Sequence, residues 1–193
     1  MTGLSCGNTR AFLVRGISGG LLVDTGYAGS LPLLRKAMKI NGIKPRDIRY
    51  VMATHYHPDH AGLIGDLTGN GVKLLLIDVQ KDRVHFQDGI FEREKSPFRP
   101  VREEEAEIIS AEESRKFLER LGIAGEILHT PSHSGDSVSL ILDGGDAFVG
   151  DLEPLEYLEA YGENNALRSD WERILAHHPK RIFYAHRPES ILI

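Results

Sequence analysis

An α/β fold is the class this sequence predicts, and three observations predict it. Short apolar runs of strand length alternate with longer stretches whose apolar residues recur at helical spacing. The chain has 193 residues, 41% hydrophobic and 26% charged, proportions that suit one ordinary domain spanning 1–193 with a sizeable core. No stretch approaches the ~20 apolar residues of a membrane span, and the N-terminus lacks the basic start and apolar core of a signal peptide. The formal net charge of −5 argues against a general nucleic-acid backbone binder, which needs a basic surface. Cys6 is the only cysteine, so an internal disulfide and a thiolate metal cluster are both excluded, and a reducing cytoplasm is the expected location.

Residues 11–14 and 20–23 are apolar runs split by Arg15-Gly16-Ile17-Ser18-Gly19, and they read as two strands joined through a glycine turn. The second ends in Asp24-Thr25-Gly26. A helix is expected over 30–41: Leu31, Leu34, Ala37 and Met38 keep helical spacing, Ser30 can cap, Pro32 sits in the first turn and Asn41-Gly42 stops it. Pro45-Arg46-Asp47 is a turn, and 48–53 is a buried strand.

At the carboxyl end of that strand, where open α/β sheets leave room for ligands, His55, His57, Asp59 and His60 fall within six consecutive positions. In an extended segment His55 and His57 point to the same side, while Asp59 and His60 lie where the chain turns into a helix. Imidazole and carboxylate suit zinc and its first-row neighbours, and two adjacent groups of them suit a pair of metals better than one. The pattern H-x-H-x-D-H should arise by chance in roughly one such chain per thousand.

Beyond the motif, 61–67 reads as a short helix in which Ala61 and Gly62 let backbone approach the metals. A strand at 73–77 and a helix at 78–85 follow, with His85 as a surface or packing histidine. Residues 87–101 depart from the alternation and read as a solvated connection. The other reading is a flap presenting Phe98 with Arg99 or Arg102 to a substrate. Glu103-Glu104-Glu105 is a solvated acidic run. Ser110-Ala111-Glu112-Glu113 has capping-box form and opens a helix through Leu121, closed by Gly122, with Phe117, Leu118 and Leu121 facing the core.

A strand at 126–129 leads into Thr130-Pro131-Ser132-His133-Ser134, where Pro131 and the nearby Gly135 fix a turn that can aim one imidazole. His129 on the strand reads as structural. Residues 138–142 and 147–149 form a hairpin through Asp143-Gly144-Gly145-Asp146, which delivers Asp151. Helices are expected at 152–161 and 167–178, the second capped near Ser169 or Asp170 and presenting Trp171, Ile174 and Leu175. His177 and His178 then complement its dipole. Tyr157 and Tyr161 are packing residues within reach of the pocket. The last strand, 181–185, leads to His186.

Thr54 to Gly62 reads T-H-x-H-x-D-H, a small residue, then Gly, and it is followed in order by His133, Gly150-Asp151 and His186. On these residues, and from Gly7-Asn8 to His186, the chain resembles the metallo-β-lactamase superfamily, with Ser132 where that family usually has Gly and Ser134 where it has Thr. The resemblance implies a four-layer αβ/βα sandwich, each half of the chain giving one layer. It assigns His55, His57 and His133 to one metal and Asp59, His60 and His186 to the other, with Asp151 between them. Two divalent ions are implied, zinc first, iron or manganese as alternatives. It also places Asp24 beneath the site, orienting a ligand imidazole, although a turn aspartate before Gly26 reads as well from the residues alone.

The activity implied is that of a binuclear hydrolase whose metal-bridging hydroxide attacks a small ester, thioester or lactone. Asp59 serves as the catalytic residue that orients the hydroxide and passes a proton to the leaving group. The alternatives are a sulfur dioxygenase-like iron oxidoreductase, a phosphodiesterase, or a non-catalytic binding member. The chain stops seven residues after His186, too few for the helical domain with which glyoxalase II holds its glutathione thioester. A small intracellular molecule is the expected partner, with neither nucleic acid nor membrane. The sequence specifies no oligomeric state.

Overall fold

The computed structural model describes residues 1–158 and 165–192. Its first half runs β1 (Thr2–Cys6), β2 (Thr9–Val14), β3 (Gly20–Val23), α1 (Leu31–Ile40), β4 (Ile48–Met52), α2 (Pro58–Ala61), α3 (Ile64–Thr68), β5 (Lys73–Ile77), α4 (Asp88–Glu94) and β6 (Glu107–Ile109). The second half runs α5 (Ser114–Leu121), β7 (Gly125–His129), β8 (Val138–Leu142), β9 (Asp146–Gly150), α6 (Asn165–Leu175), β10 (Arg181–Tyr184) and β11 (Ser190–Ile191). The strands form two sheets, one of order β1-β2-β3-β4-β5-β6 and one of order β11-β10-β9-β8-β7. Each half of the chain therefore supplies one sheet.

Period-two alternation decides what each sheet buries. Phe12, Leu21, Val23, Leu75 and Ile77 point at the opposite sheet, where Leu140, Phe148 and Phe183 meet them. The rings of Phe12, Phe148 and Phe183 stand with centroids 5.2 to 5.6 Å apart, which locks the two sheets face to face. Their neighbours Leu13, Leu22, Leu74 and Leu76 turn outward onto α1, whose Leu34 and Met38 are buried. Ile141, Ala147, Val149 and Ile182 turn outward onto Trp171 and Ile174 of α6. Helix, sheet, sheet, helix is the layer order, the αβ/βα sandwich.

In the first sheet β3, β4 and β5 run parallel, and in the second β9 and β10 do. Their carboxyl ends gather at one mouth between the sheets. Backbone bonds tie that mouth across the layers: Val138 N donates to Thr54 O at 2.8 Å, and Arg10 N to Ala185 O at 2.9 Å.

Several local expectations are corrected. The edge strands β1, β6 and β11 had no clear apolar pattern. Residues 87–101 contain α4, which closes with Lys95 in the left-handed region (φ 56°) and buries Phe91 against Tyr27 and Phe98. Residues 61–67 split into the ends of two short helices, and 78–85 is a tighter 3₁₀ segment, Asp78–Arg83.

Ser30 does not cap α1, because its hydroxyl donates to Tyr27 O at 2.6 Å. The Ser110 capping box folds as a turn before the helix, with Ser110 N donating to Glu113 Oε2 at 2.9 Å, so α5 starts at Ser114. Among the described residues helix α6 covers Asn165–Leu175, which puts Ser169 and Asp170 inside it. Asp170 is buried there and accepts from Ser132 N at 2.8 Å. Of the helix expected at 152–161, the structure shows one 3₁₀ turn, Leu155–Tyr157, and Tyr161 lies outside the described residues. Among the described residues no helix is long and apolar enough to cross a membrane.

Candidate metal centre

Strand ends and one short helix supply every group at the mouth. The end of β3 gives Asp24, the segment after β4 gives Thr54 to His57, and α2 gives Asp59 and His60. The β7–β8 turn gives His133, and the ends of β9 and β10 give Asp151 and His186. One donor atom from each of His55, His57, His133 and Asp151 lies within 4.8 Å of the others, and the same holds for Asp59, His60 and His186. All seven expected ligands are thus brought together in the two groups expected.

Asp151 stands between the groups. Its Oδ1 is 3.3 Å from His60 Nε2 and 3.3 Å from His186 Nε2, and its Oδ2 is 3.9 Å from both His55 Nε2 and His133 Nε2. His57 Nδ1 lies 2.9 Å from His55 Nε2 and 3.2 Å from His133 Nε2. Three ring nitrogens so aimed at one point cannot all be satisfied by protons on one another. His60 Nε2 and Asp151 Oδ1 are buried and lack a hydrogen-bond partner among the described residues. Converging lone pairs, orphaned buried atoms and a shared carboxylate are what a pair of borderline cations would satisfy, so the donor set fits two metals.

The outward atoms of the ligands are held from behind. His60 Nδ1 lies 3.1 Å from Asp24 Oδ2, and Asp24 Oδ1 accepts from Thr54 N at 2.7 Å. Thr54 Oγ1 lies 3.0 Å from Asp24 Oδ2 and 3.2 Å from His55 Nδ1, so one carboxylate orients imidazoles of both groups. His186 Nδ1 donates to Asn8 O at 2.9 Å, and Thr9 Oγ1 donates to Asp59 Oδ2 at 3.1 Å. Asp24 therefore has the supporting place expected for it, held in the left-handed region at φ 61°.

Thr9, Asn8, Asp136 and Gln80 were not anticipated. Asp136 Oδ2 accepts from Tyr56 N at 2.7 Å, and Gln80 Nε2 donates to Ala53 O at 3.0 Å, which fixes the segment carrying His55 and His57. The Gly62 expectation is corrected too. A Cβ there would meet Ala28 N and Pro58 O at 2.5 Å, so the glycine lets the 26–28 backbone pack against α2 and does not face the metals.

The electrostatics of the two groups differ. Burial, then the nearby His60, pushes the His55 imidazole down to about 2, and burial also lowers His133. Burial would lower His60 as well, but Asp24 and Asp151 outweigh it and hold the ring above its ordinary value. The carboxylates of Asp151 and Asp59, 3.3 and 3.0 Å from its Nε2, raise His186 to about 11. Burial opposes ionisation of Asp59 and Asp151, yet His186 and His60 beside them keep both carboxyls below the usual range.

A cleft of about 390 Å³ opens over Asp151, His133 and His186, walled by Tyr157, Tyr184 and Arg187. A smaller one of about 210 Å³ lies on the far side of His57, with Phe86 and Arg83 at its rim. Phe98, Arg99 and Arg102 line neither. Arg99 backbone packs on Gly65, and Arg102 pairs with Glu105 at 2.6 Å, so 87–101 is a partly buried connection carrying α4, with Gln87, Phe91 and Val101 in the interior, and its Phe98 and Arg99 do not reach either cleft. His85 is exposed and meets Asp88 at 2.8 Å, His129 Nε2 meets Gly135 O at 2.9 Å, and His177 faces Glu126 at 3.6 Å. These three stand outside both donor groups.

A family model described as the metallo-beta-lactamase superfamily matches residues 4–186. Among curated proteins, the chain is 36% identical over 59 residues to the mouse metallo-beta-lactamase domain-containing protein 1, covering 31% of this chain and 23% of that one. It is 30% identical over 123 residues to a probable metallo-hydrolase of Methanocaldococcus jannaschii, covering 64% of this chain and 57% of the relative. The matched stretches thus span about a quarter to somewhat over half of these relatives.

Among solved structures, TTHA1623 in a di-iron-bound form superposes with a TM-score of 0.72 at 22% identity, covering 99% of this chain and 94% of that one. The BLEG-1 B3 metallo-beta-lactamase gives 0.70 at 18%, covering 98% and 93%. The metallo-beta-lactamase MIM-1 of Novosphingobium pentaromativorans gives 0.66 at 22%, covering 95% and 76%. At these identities the likeness is one of fold.

Proposed function

The chain belongs to the metallo-beta-lactamase superfamily, and from that premise we propose that it is a binuclear metal-dependent hydrolase of small esters, thioesters or lactones. The observation that carries the reading is Asp151, whose two oxygens face two separate groups of imidazole and carboxylate donors. His55, His57 and His133 would hold one ion and Asp59, His60 and His186 the other, with Asp151 shared. Divalent ions held there lower the pKa of a coordinated water toward neutrality and polarise the oxygen of a scissile carbonyl.

The chain's own residues supply the rest. Asp24 and Thr54 fix ring orientation, so no reorganisation is needed as charge develops. Asp59 is half-buried, is steadied by Thr9 and lies 3.0 Å from His186 of the cleft wall, from where its carboxylate can orient the attacking water and carry a proton to the leaving group. Tyr157 and Tyr184 wall a space suited to a small molecule, with an aromatic surface for its apolar part, while Arg187 beside them is paired with Glu156 at 2.7 Å.

A second reading has one observation in its favour: TTHA1623, similar in fold over nearly its whole length, is described in a di-iron-bound form. Iron in this donor set would permit an oxidoreductase. Metal analysis of protein purified without added metal, paired with ester, thioester, lactone and phosphodiester substrates, separates the readings. Near two zinc or manganese ions per chain with hydrolysis of an ester-like substrate is expected. Asp59→Asn should then lower kcat roughly 100-fold or more even at metal concentrations that keep both sites filled. Iron with oxygen consumption and no hydrolysis would overturn the proposal, as would full metal loading with no turnover of any of the four classes.

A further inference from the structure

Among the described residues, a cavity larger than either cleft at the metal centre lies elsewhere. It measures about 560 Å³ and opens at the other end of the six-stranded sheet, around the amino ends of β3, β4 and β5. Its floor is apolar: Leu31, Met38, Ile48, Leu67 and Val72. Four cations stand at its rim, Arg35, Arg46, Arg49 and Lys73. Arg49 Nη1 donates to Ser18 O at 2.8 Å and Lys73 is near enough to Glu107 to help hold its carboxyl low, but among the described residues none of the three arginines is ion-paired to a carboxylate. Arg115, Arg120 and Arg181, by contrast, each have a carboxylate partner within 3.0 Å.

The charge is concentrated by sequence. Residues 31–49 hold six Lys and Arg against Asp47 alone, in a chain whose net charge is −5. The one acid is already engaged, with Asp47 Oδ2 accepting from Lys44 N at 2.9 Å. The volume is that of a small-ligand site. Its apolar floor would desolvate a hydrocarbon body, and the unpaired guanidinium groups would take an anionic head.

We propose that this cavity binds a small amphiphilic anion, a carboxylate or phosphate carried on an aliphatic body, at a site apart from the metal centre. Ile48 in its floor and Thr54 at the metal motif lie at opposite ends of the β4 segment, about 20 Å of extended chain apart. The ligand therefore cannot touch both. A bare inorganic anion leaves the floor wet, and a neutral chain leaves the cations unmatched.

The test uses the metal-loaded protein and titrates octanoate and octyl phosphate below their micellar concentrations, reading the methyl resonances of Met38, Ile48, Leu67 and Val72. Saturable shifts at those methyls are expected, with octanol and inorganic phosphate at least about tenfold weaker, the ratio that roughly 1.4 kcal/mol produces. The exposed double variant Arg35→Glu/Arg46→Glu should fold with an unchanged Tm and weaken both octyl anions by a similar factor. Shifts confined to residues beside His133 and Asp151 would show the anions on the metals and overturn the proposal. So would octanol binding as tightly as octanoate, or a double variant that binds both anions as the parent does. Comparing octanoate with octyl phosphate tells which head the rim prefers.

Discussion

Asp24 is the residue whose substitution best separates orientation of the ligands from their identity. It makes no contact with the cleft and is 1% exposed, yet its carboxylate reaches Thr54 N, Thr54 Oγ1 and His60 Nδ1 at 2.7 to 3.1 Å. For His60 to present the lone pair of Nε2 to a cation, its proton must sit on Nδ1, and that proton needs an acceptor. Asp24→Asn preserves size and tolerates φ 61°, since Asn visits the left-handed region readily. The amide still accepts from Thr54 N, but its NH₂ then faces His60 Nδ1, donor against donor.

The expected loss is about 10–100-fold in affinity of the Asp59, His60 and His186 group, or roughly 1.4 to 2.8 kcal/mol. His55, which Asp24 reaches only through Thr54, should lose less. A chelator-competition titration with zinc, fitted to two constants, reads both. The metal-free variant should also unfold more easily by roughly 1–3 kcal/mol, the cost of an impaired buried bond to a charged group. If Asp24→Asn bound both ions with wild-type constants, the carboxylate would not orient His60 and the reasoning would fail.

Gly62→Ala should destabilise by roughly 1–3 kcal/mol or more, because its Cβ meets backbone of Ala28 and Pro58 that cannot rotate away; a wild-type urea midpoint would refute the packing. Tyr56→Phe should be neutral or stabilising by about 1 kcal/mol, since Tyr56 is 1% exposed and its hydroxyl has no hydrogen-bond partner among the described residues. Denaturant unfolding checks it, and a clear loss would mean the hydroxyl is bonded. In metal-free protein the raised His186, 6.5 to about 11, contributes stability fully below pH 6.5 and loses it as pH climbs toward 11. The Tm of EDTA-treated protein should therefore fall between pH 7 and about 10, while a flat profile would contradict the pairing of His186 with Asp59 and Asp151. Zinc uptake at pH 8 should release about two protons, from His60 and His186, measurable as acid in weakly buffered solution.

The sequence made the centre legible because its ligands sit where strands end, and strands with strong apolar runs announce their ends. His55 and His57 follow β4, Asp151 follows β9 and His186 follows β10, all inferable from local pattern. The contacts that aim these groups are not local. Thr9 reaches Asp59 across 50 positions, Asp136 reaches Tyr56 across 80 and Asn8 reaches His186 across 178, and no spacing rule connects them. Short edge strands were hidden for another reason. In β1 only Leu4 and Cys6 are buried, and β11 has two residues, so neither carries enough apolar signal to outweigh its polar neighbours. Helix α4 was masked by Gly89 and the Pro and Arg after it, since it buries a single side chain, Phe91.

The two halves of the centre are chemically unequal, and the inequality comes from the layer that supports each. His55 and His133 have their pKa values lowered, mainly by burial, so they offer free lone pairs at neutral pH. His60 and His186 sit among Asp24, Asp59 and Asp151, and without metal they keep protons there. Those protons are the charge that the carboxylates require, and a divalent ion bound to the same nitrogens must displace them. On the proposed reading, His55 and His133 are therefore ready to coordinate, while His60 and His186 would exchange protons for metal, more easily as pH rises. On the proposed binuclear reading, a cation held by the first group would lower the negative charge that Asp151 presents to the second, which would loosen the proton on His60 in turn. Filling one side would thus prepare the other, with the single carboxylate between them carrying that coupling.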